Sequence, residues 1–357
     1  MVEYRVNHER LAEFVTDIFI RHCVKAEEAK SLAAMMVNAN LRGLYSHGVL
    51  RVGTYIDRMK AGGMKKEFEI QVISETPTTA VVDGGGGFGA VACEYAARMA
   101  REKAKKYGLG MVTLRNTEHT GMISLWSLIM SEDDMIGFTG TAIEPLMAPT
   151  GGKELRLGNN PFAFTIPAGK YAPICLDISC SQVAGGKVLA KKVKNEPVPL
   201  GWCLDEDGLP TTDPNRWKFL VPVGEHKGYG LSVVVECLGS LLSGGLFGEG
   251  HGQQYGKLDE TNSVNSFYLA INIGHFRDLE LFRKDAEAYI DYLHSCEKAP
   301  GTERIYYPGE LEDEHTKDAL AKGIKLDENL ITQLESYAEE VGISKEDMTF
   351  LRQAPCI

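Results

Sequence analysis

Hydrophobic residues recur at helical spacing near both ends of the chain. Leu11, Phe14 and Ile18 share one face of a segment that Asn7 can cap, which predicts a first helix. The same spacing predicts a helix from about residue 26 to 41, a partly helical stretch that stops at Gly62–Gly63, and amphipathic helices at 280–295 and 330–341. Both ends of the chain are therefore predicted to contribute helices.

The pattern changes after Pro77, where short runs of β-branched and aromatic residues alternate with helical segments. The predicted strands cover residues 79–83, 110–114, 137–141, 162–166, 172–178 and 266–274, and the predicted helices cover 94–107, 122–130 and about 230–244. The regular strand–helix alternation of a doubly wound sheet is missing. We therefore expect an α+β protein with a helical domain, from residues 1–77 with 251–357, and a central domain of residues 78–250.

The composition narrows the class of protein. The 357 residues exceed what one hydrophobic core usually supports, and 44% hydrophobic with 24% charged residues is typical of a globular protein. A net charge of -11 disfavours nucleic acid as a partner, because phosphate binding needs clustered Lys and Arg. The N-terminus lacks the apolar core of a signal peptide, and no apolar run approaches the ~20 residues of a membrane span. We expect a cytoplasmic protein without a membrane partner.

The cysteines give no sign of a metal site. No two of them form the C-x-x-C pair that is usual for zinc, and most lie in apolar runs. We expect buried free thiols and no bound metal. The eight residues are Cys23, Cys93, Cys175, Cys180, Cys203, Cys237, Cys296 and Cys356.

A glycine cluster at 83–89 superficially fits a dinucleotide-binding fingerprint, since it lies between a predicted strand and a predicted helix. That fingerprint requires an acidic residue at the end of the next strand, and here the strand ends in Arg115-Asn116. We therefore interpret the cluster as a tight turn with positive φ angles.

Two histidines and one arginine lie where predicted elements end. His47, in Ser46-His47-Gly48, follows a predicted helix, and Arg51 comes four positions later, so a helical segment would bring both side chains to one face. His119 leaves a predicted strand just before a helix. Imidazole exchanges a proton near neutral pH and guanidinium matches a carboxylate, which are the two groups that a 2-keto acid needs. A surface ion pair and a capping histidine would explain the same residues.

Three further segments suggest binding of amide and phosphate groups. The amide of Asn159, before Asn160-Pro161, suits orientation of a carbonyl or carboxamide, although a plain X-Pro turn is the stronger explanation of this segment by itself. Small residues follow the strand that ends at Asp177-Ile178, beginning with Ser179. His226-Lys227-Gly228 precede the long helix, where free backbone N–H groups and Lys227 can bind an anion.

Taken together, the motifs resemble the malate/L-lactate dehydrogenase family that lacks a Rossmann fold. They occur in the order of that family and span nearly the whole chain. The matching pieces are Ser46-His-Gly48 with Arg51, Asn116–His119 with Gly121, Pro149–Gly152, Gly158–Pro161, Leu176–Ser179 with Gly186-Lys187, Pro210–Pro214, His226–Gly230 and Tyr307–Glu310.

The resemblance implies a large, mainly antiparallel sheet that binds NAD or NADP within residues 78–250. It also implies a helical domain for substrate and dimerisation, and a homodimer. The residues implied to hold the cofactor are Asp177, Ile178, Ser179, Lys194, His226, Lys227, Gly228, Pro308, Gly309 and Glu310. A small carboxylate substrate is implied to bind Arg51, Ser46 and Asn159, with His119 as the main proton-transfer group and His47 in support.

The expected activity is hydride transfer between NAD(P) and a small 2-hydroxy or 2-keto acid. Family members usually carry Phe where this chain has Thr120 and Thr where it has Asn159, which leaves the substrate open. Two alternatives remain at this point, namely an NAD(P)H-dependent reductase of cyclic imino acids and a non-catalytic binding protein on the same fold.

Overall fold

The computed structural model describes residues 2–254 and 256–353, within which the chain forms eleven α-helices and twelve strands. The helices are α1 (His8–Arg21), α2 (Ala26–Leu41), α3 (Arg51–Ala61), α4 (Gly89–Tyr107), α5 (Ile123–Ser131), α6 (Gly185–Val193), α7 (His226–Glu236), α8 (Leu279–His294), α9 (Glu310–Lys322), α10 (Glu328–Glu340) and α11 (Lys345–Met348). The strands are β1 (Glu3–Val6), β2 (Gln71–Glu75), β3 (Thr79–Asp83), β4 (Leu109–Thr117), β5 (Met135–Ala142), β6 (Phe162–Ala168), β7 (Tyr171–Ile178), β8 (Cys203–Leu204), β9 (Pro210–Thr211), β10 (Phe219–Leu220), β11 (Val264–Asn272) and β12 (Ile324–Asp327).

A seven-stranded sheet organises the molecule, with strand order β2-β3-β4-β11-β5-β6-β7. Strands β3 and β4 pair in parallel, and the other neighbours in this sheet pair antiparallel. The predicted mainly antiparallel fold is therefore confirmed. Two of the strands, β2 and β11, come from outside residues 78–250, and the division into two domains remains a prediction.

Both faces of this sheet are covered, which explains the five consecutive apolar residues, 267–271, of its central strand β11. Successive side chains of β11 point to opposite faces. Tyr268 packs in the larger core with residues of α4, whereas Phe267 packs in a second core with Val235 of α7. Both aromatic side chains are fully buried.

The two ends of the chain meet in a helical layer. Strand β1 pairs antiparallel with β12, with Val6 opposite Ile324. Helices α1, α2 and α10 pack into the larger core, where Ile18, Leu32 and Ile331 are completely buried. The structure thus agrees with the expectation that helices from both ends lie together.

The predicted elements differ from the observed ones mainly at their ends, but several observed elements were not predicted. These are the strands β1, β2, β8, β9, β10 and β12 and the helices α6, α9 and α11. Asn7 caps α1 by accepting the N–H of Arg10 at 2.9 Å, as predicted. The helix predicted to start near Gly230 begins earlier, at His226, because Gly228 allows its first turn to lie against the carbonyl of Cys180. The same helix continues as a π-helical segment at Cys237–Leu241, so the predicted long apolar helix is present and ends three residues before Gly244.

The glycine cluster after β3 is a turn, as interpreted, with φ of 65° at Gly85 and 72° at Gly86. Arg115, at the position where a dinucleotide fingerprint needs an acid, instead donates to Asp83 at 2.9 Å. The last glycine of the cluster has a packing role, since a Cβ on Gly89 would lie 2.1 Å from the carbonyl oxygen of His119. Glycine therefore lets α4 begin directly against the segment that carries His119.

The cysteine prediction is confirmed in part. All seven described cysteines are free, but Cys23, Cys237 and Cys296 are exposed rather than buried. Cys356 lies outside the described residues. Among the described helices, none combines the length and the apolar character required to cross a bilayer.

Candidate active site

Helix α3 presents a polar face to the interior through Arg51, Tyr55 and Arg58. The spacing of four and then three residues places these side chains on one side of the helix. Arg51 Nε donates to the carbonyl oxygen of Ser46 at 2.7 Å, which ties the start of α3 to the preceding turn. His47 lies in that short 3-10 turn, Tyr45–His47, so His47 and Arg51 are brought together by the turn and not by one continuous helix.

The two predicted histidines stack on each other. The ring centroids of His47 and His119 are 5.6 Å apart and the ring planes differ by 14°. Tyr55 fixes the second ring, because its hydroxyl lies 2.7 Å from His119 Nδ1 and donates to the carbonyl of the same residue at 3.3 Å. The first ring is held by Ser46, whose hydroxyl lies 3.0 Å from His47 Nδ1. Both imidazoles are thus oriented through Nδ1, which leaves Nε2 on the opposite side of each ring.

Burial and neighbouring cations make both histidines weak bases. Burial lowers the pKa of His119 well below its ordinary value, and the charges of Arg51, His47 and Arg58 lower it further. Burial and then Arg51 lower the pKa of His47 to about 4. Burial raises the pKa of the Tyr55 phenol, which therefore stays protonated. At neutral pH the site consequently contains neutral imidazoles, which are able to accept a proton.

A buried ion pair lies behind His119. Arg58 Nη2 is 3.1 Å from Glu118 Oε2, and neither side chain is exposed. Arg58 also donates to the carbonyl of Glu260 at 2.6 Å, while Glu118 Oε1 accepts the N–H of Asn262 at 2.9 Å. Burial raises the pKa of Glu118 to about 7, against the opposing effect of Arg58. The pair joins α3, the end of β4 and the 260–262 segment at the residue next to His119.

Sequence reasoning missed Tyr55, Arg58 and Glu118. A signal was present, because residues 51, 55 and 58 share a helical face and Glu118 directly precedes His119. A tyrosine on an amphipathic helix is also typical of a core, and an exposed ion pair would explain the charges equally well. The burial that makes them part of the site is visible only in the fold.

The neighbouring amides Asn159 and Asn160 have different surroundings. Asn160 is satisfied by structural contacts, since it donates to Glu236 at 2.7 Å and accepts the N–H of Ile143 at 3.1 Å. Asn159 Nδ2 lies 3.4 Å from Ser181 Oγ, and its buried Oδ1 has no partner among the described residues. These contacts place Asn159 beside the segment that follows β7, and its role in binding substrate remains a prediction.

Two of the predicted cofactor segments lie side by side. Cys180, next to Ser179, accepts the N–H of Val223 at 2.9 Å, so the residues after β7 run along the segment that leads into α7. A Cβ on Gly228 would come within 2.4 Å of the carbonyl of Cys180, which explains the glycine. His226 and Lys227 are exposed at the first turn of α7, where the charge of Lys227 favours an anion. The N–H groups of Lys227 and Gly228 are not free, because they donate to the carbonyls of Gly224 and Val223 at 3.2 and 2.7 Å.

The third predicted segment, Pro308–Glu310, lies against β7. Cys175 N–H donates to the carbonyl of Pro308 at 2.8 Å, and Gly309 has a φ of 92°. A cleft of about 350 Å³ opens here. Its lining includes Arg42, Ser124, Asp177, Tyr306, Pro308 and Gly309.

Two of the predicted cofactor residues, Asp177 and Glu310, make structural contacts that would explain them without a cofactor. A third, Lys194, is exposed at the surface. Asp177 Oδ2 accepts the N–H of Ser124 at 3.0 Å and thereby caps α5. Glu310 is buried and accepts from His294 Nε2 at 3.0 Å and from Arg304. Lys194 directly follows α6. Their roles toward a cofactor stay predictions.

Comparison with known proteins identifies the family. A family model described as malate/L-lactate dehydrogenase matches residues 6–335. The chain belongs to the malate/L-lactate dehydrogenase family. It is 36% identical to the L-sulfolactate dehydrogenase of Methanocaldococcus jannaschii, over 95% of this chain and 98% of that protein. The ureidoglycolate dehydrogenase (NAD(+)) of Escherichia coli is 30% identical, over 94% and 96% of the two chains. The crystal structure of malate dehydrogenase from Entamoeba histolytica has a TM-score of 0.91 at 32% identity, over 96% and 99%.

Membership of the malate/L-lactate dehydrogenase family confirms the main predictions. The chain is a nicotinamide-dependent oxidoreductase of hydroxy acids on the expected non-Rossmann fold. The names of these relatives do not favour the alternative of an imino acid reductase.

We expect the buried pair to contribute strongly to stability. Glu118→Gln leaves the Arg58 charge without its counter-ion, which typically costs about 3–5 kcal/mol of unfolding free energy. Glu340→Gln is the matched control. It breaks the exposed pair between Glu340 of α10 and Lys60, which lies on α3 like Arg58. This change should cost about 1 kcal/mol of unfolding free energy or less. Thermal or urea unfolding of both variants measures the difference. Equal losses in the two variants would show that the Arg58–Glu118 pair has no special role.

Proposed function

We propose that this protein oxidises a small 2-hydroxy acid to the 2-keto acid, and reduces it back, with NAD or NADP. The observation that carries the proposal is the convergence of Arg51, His47 and His119, with Tyr55 orienting the second histidine. Sulfolactate, malate and ureidoglycolate, which appear in the names of the relatives, are all 2-hydroxy acids.

Arg51 binds the substrate carboxylate in this proposal. Its guanidinium presents parallel N–H donors that match two carboxylate oxygens, and its half-buried position strengthens the attraction. Ser46 supports this geometry, because its carbonyl accepts from Arg51 and its hydroxyl contacts His47. Asn159 contributes an amide on the side of Ser181. The carboxylate then fixes the position of the reacting carbon.

His119 acts as the proton-transfer group. Nε2 accepts the hydroxyl proton in the tautomer in which His119 Nδ1–H donates to Tyr55. In that tautomer the Gly121 N–H, 3.3 Å from Nδ1, gives up its hydrogen bond to the ring. The lowered pKa keeps His119 in this neutral form at pH 7. In the reductive direction, the protonated ring returns the proton from Nε2. His47 supports the ring by stacking, and the positive charge of Arg51 disfavours protonation of both rings.

The residues around β7 and α7 fit a nicotinamide dinucleotide. The fit rests on the cleft beside Asp177 and Pro308–Gly309, on the unpartnered Oδ1 of Asn159, and on the exposed start of α7 with Lys227. When bound, the nicotinamide accepts or supplies the hydride. Asp177, Ile178, Ser179, Pro308, Gly309 and Glu310 would hold one part of the cofactor, and Lys194, His226, Lys227 and Gly228 another.

We also propose that the protein is located in the cytoplasm and forms a homodimer. Apolar side chains that are 41–63% exposed follow one another along α7 and the segment after it, and a second copy of the chain would cover them. They are Leu231, Val234, Leu241, Leu242, Leu246 and Phe247. The helical domain of residues 1–77 with 251–357 is proposed to complete the substrate site.

An activity panel tests the proposed function. The purified protein, with NAD⁺ or NADP⁺, is offered 2-hydroxy acids and, with the reduced cofactors, 2-keto acids and cyclic imino acids, and the nicotinamide absorbance is followed. We expect turnover of at least one hydroxy acid and keto acid pair. Turnover of imino acids alone would favour the reductase alternative, and binding of a nicotinamide without any turnover would favour a binding protein.

Kinetics of histidine variants separates the two imidazoles. We expect His119→Ala to lower kcat by about 10²–10⁴ and to abolish the acidic limb of the pH–rate profile. Because its pKa is lowered, this limb of hydroxy acid oxidation should lie well below pH 6.5, with activity lost as the pH falls through it. His47→Ala should mainly raise KM and keep the limb. Loss of the limb in His47→Ala but not in His119→Ala would reverse the assignment.

Light scattering tests the assembly. We expect twice the 39.2 kDa of one chain. Leu241→Glu should yield the mass of a single chain, since a charge in an apolar interface is costly to bury. Leu320→Glu, at an exposed apolar position on α9, serves as the control and should leave the dimer intact. A wild-type mass of one chain at micromolar concentration would refute the homodimer.

A further inference from the structure

The sheet brings a second acidic group to the edge that carries His119. Strands β4 and β5 are both antiparallel to β11, so they run in the same direction on its two sides. Their last residues are in nearly the same register, with Thr117 opposite Val264 and Ala142 opposite Asn265. The segments that follow therefore leave the sheet together, about 10 Å apart across two strand spacings. His119 follows the first strand, and Glu144 follows the second.

Glu144 faces the same charges as the proposed site. Its carboxylate interacts electrostatically with the guanidinium groups of Arg51 and Arg58 and with His251, and Oε1 accepts the N–H of Gln254 at 3.4 Å. The side chain is half-buried, and burial raises its pKa. The electrostatic interaction between this carboxylate and a nearby charge is stronger than it would be in open water, because the effective dielectric constant is lower here.

The segment that carries Glu144 is held firmly. Asn160 accepts the N–H of the preceding residue, Ile143, at 3.1 Å, and its amide is fixed in turn by Glu236 at 2.7 Å. Glu236 also lies 3.1 Å from Nε2 of the buried His251. A rigid support of this kind keeps the carboxylate at a defined distance from the reacting carbon.

We propose that Glu144 selects the substrate by its side chain, and that the preferred 2-hydroxy acid carries an uncharged N–H donor there instead of a second acidic group. This inference rests on the proposed function. Arg51 binds the first carboxylate, and a substrate of four or five carbons extends from His119 toward Glu144. A carboxamide can donate a charge-assisted hydrogen bond to Glu144, whereas a second carboxylate meets a like charge.

Malate and malamate, its 4-amide, provide the test, because they differ only in a carboxylate against a carboxamide. At pH 8 with the preferred nicotinamide, we expect kcat/KM of the wild type to favour malamate by about 10- to 100-fold, the range of a hydrogen bond to a charged group. Glu144→Gln should reduce this preference to within about threefold, mainly by improving the use of malate. Glu154→Gln, which removes an exposed carboxylate on the same connection between β5 and β6, should keep the wild-type preference.

The outcomes distinguish this inference from the proposed function. A wild type that favours malate, a Glu144→Gln variant that keeps the wild-type ratio, or activity confined to acids without a donor, such as lactate, would each overturn the selection by Glu144. Failure to oxidise any 2-hydroxy acid with either cofactor would overturn the proposed function instead. The wild-type ratio remains decisive if the variant does not fold, and titration of cofactor fluorescence shows whether the variant is intact.

Discussion

The ion pair between Arg58 and Glu118 is the contact on which the site depends. Both charges are removed from water, so each needs the other. Backbone groups of residues 253–262 satisfy their remaining hydrogen bonds, with four carbonyls accepting from Arg58 and the N–H of Asn262 donating to Glu118. Glu118 is covalently next to His119, and Arg58 lies two turns after Arg51 on α3. The pair therefore fixes the orientation of the helix that carries Arg51 and Tyr55 relative to the strand that delivers His119.

Such an arrangement places positive charge beside neutral histidines. Arg51 and Arg58 lower the pKa of His119 in addition to burial, and the same charges attract an anionic substrate into the site. A binding protein would need the arginine alone. In an enzyme, the contact between the Tyr55 hydroxyl and His119 Nδ1 at 2.7 Å is useful, because proton transfer requires an imidazole ring that is held in one orientation.

Much of the fold and several residues of the site could be predicted from the sequence, for physical reasons that differ from residue to residue. Helical spacing predicted α2, and the order of the motifs predicted Arg51, His47 and His119 as a group. Tyr55 was missed because a tyrosine at a core position and one that binds a histidine have the same local pattern. Glu144 was missed because its proximity follows from the register of β4, β11 and β5, which joins residues far apart in the chain.

A crystal structure of the protein with a nicotinamide dinucleotide and an unreactive 2-keto acid analogue tests the account most directly. We expect the carboxylate of the analogue to bind Arg51, and the carbonyl oxygen of the analogue to lie within hydrogen-bond distance of His119 Nε2. The nicotinamide should lie on the opposite face of the reacting carbon, and the dinucleotide should extend along β7 toward α7. An analogue whose carboxylate binds away from Arg51, with His119 out of reach of the carbonyl, would contradict the assignment of this site.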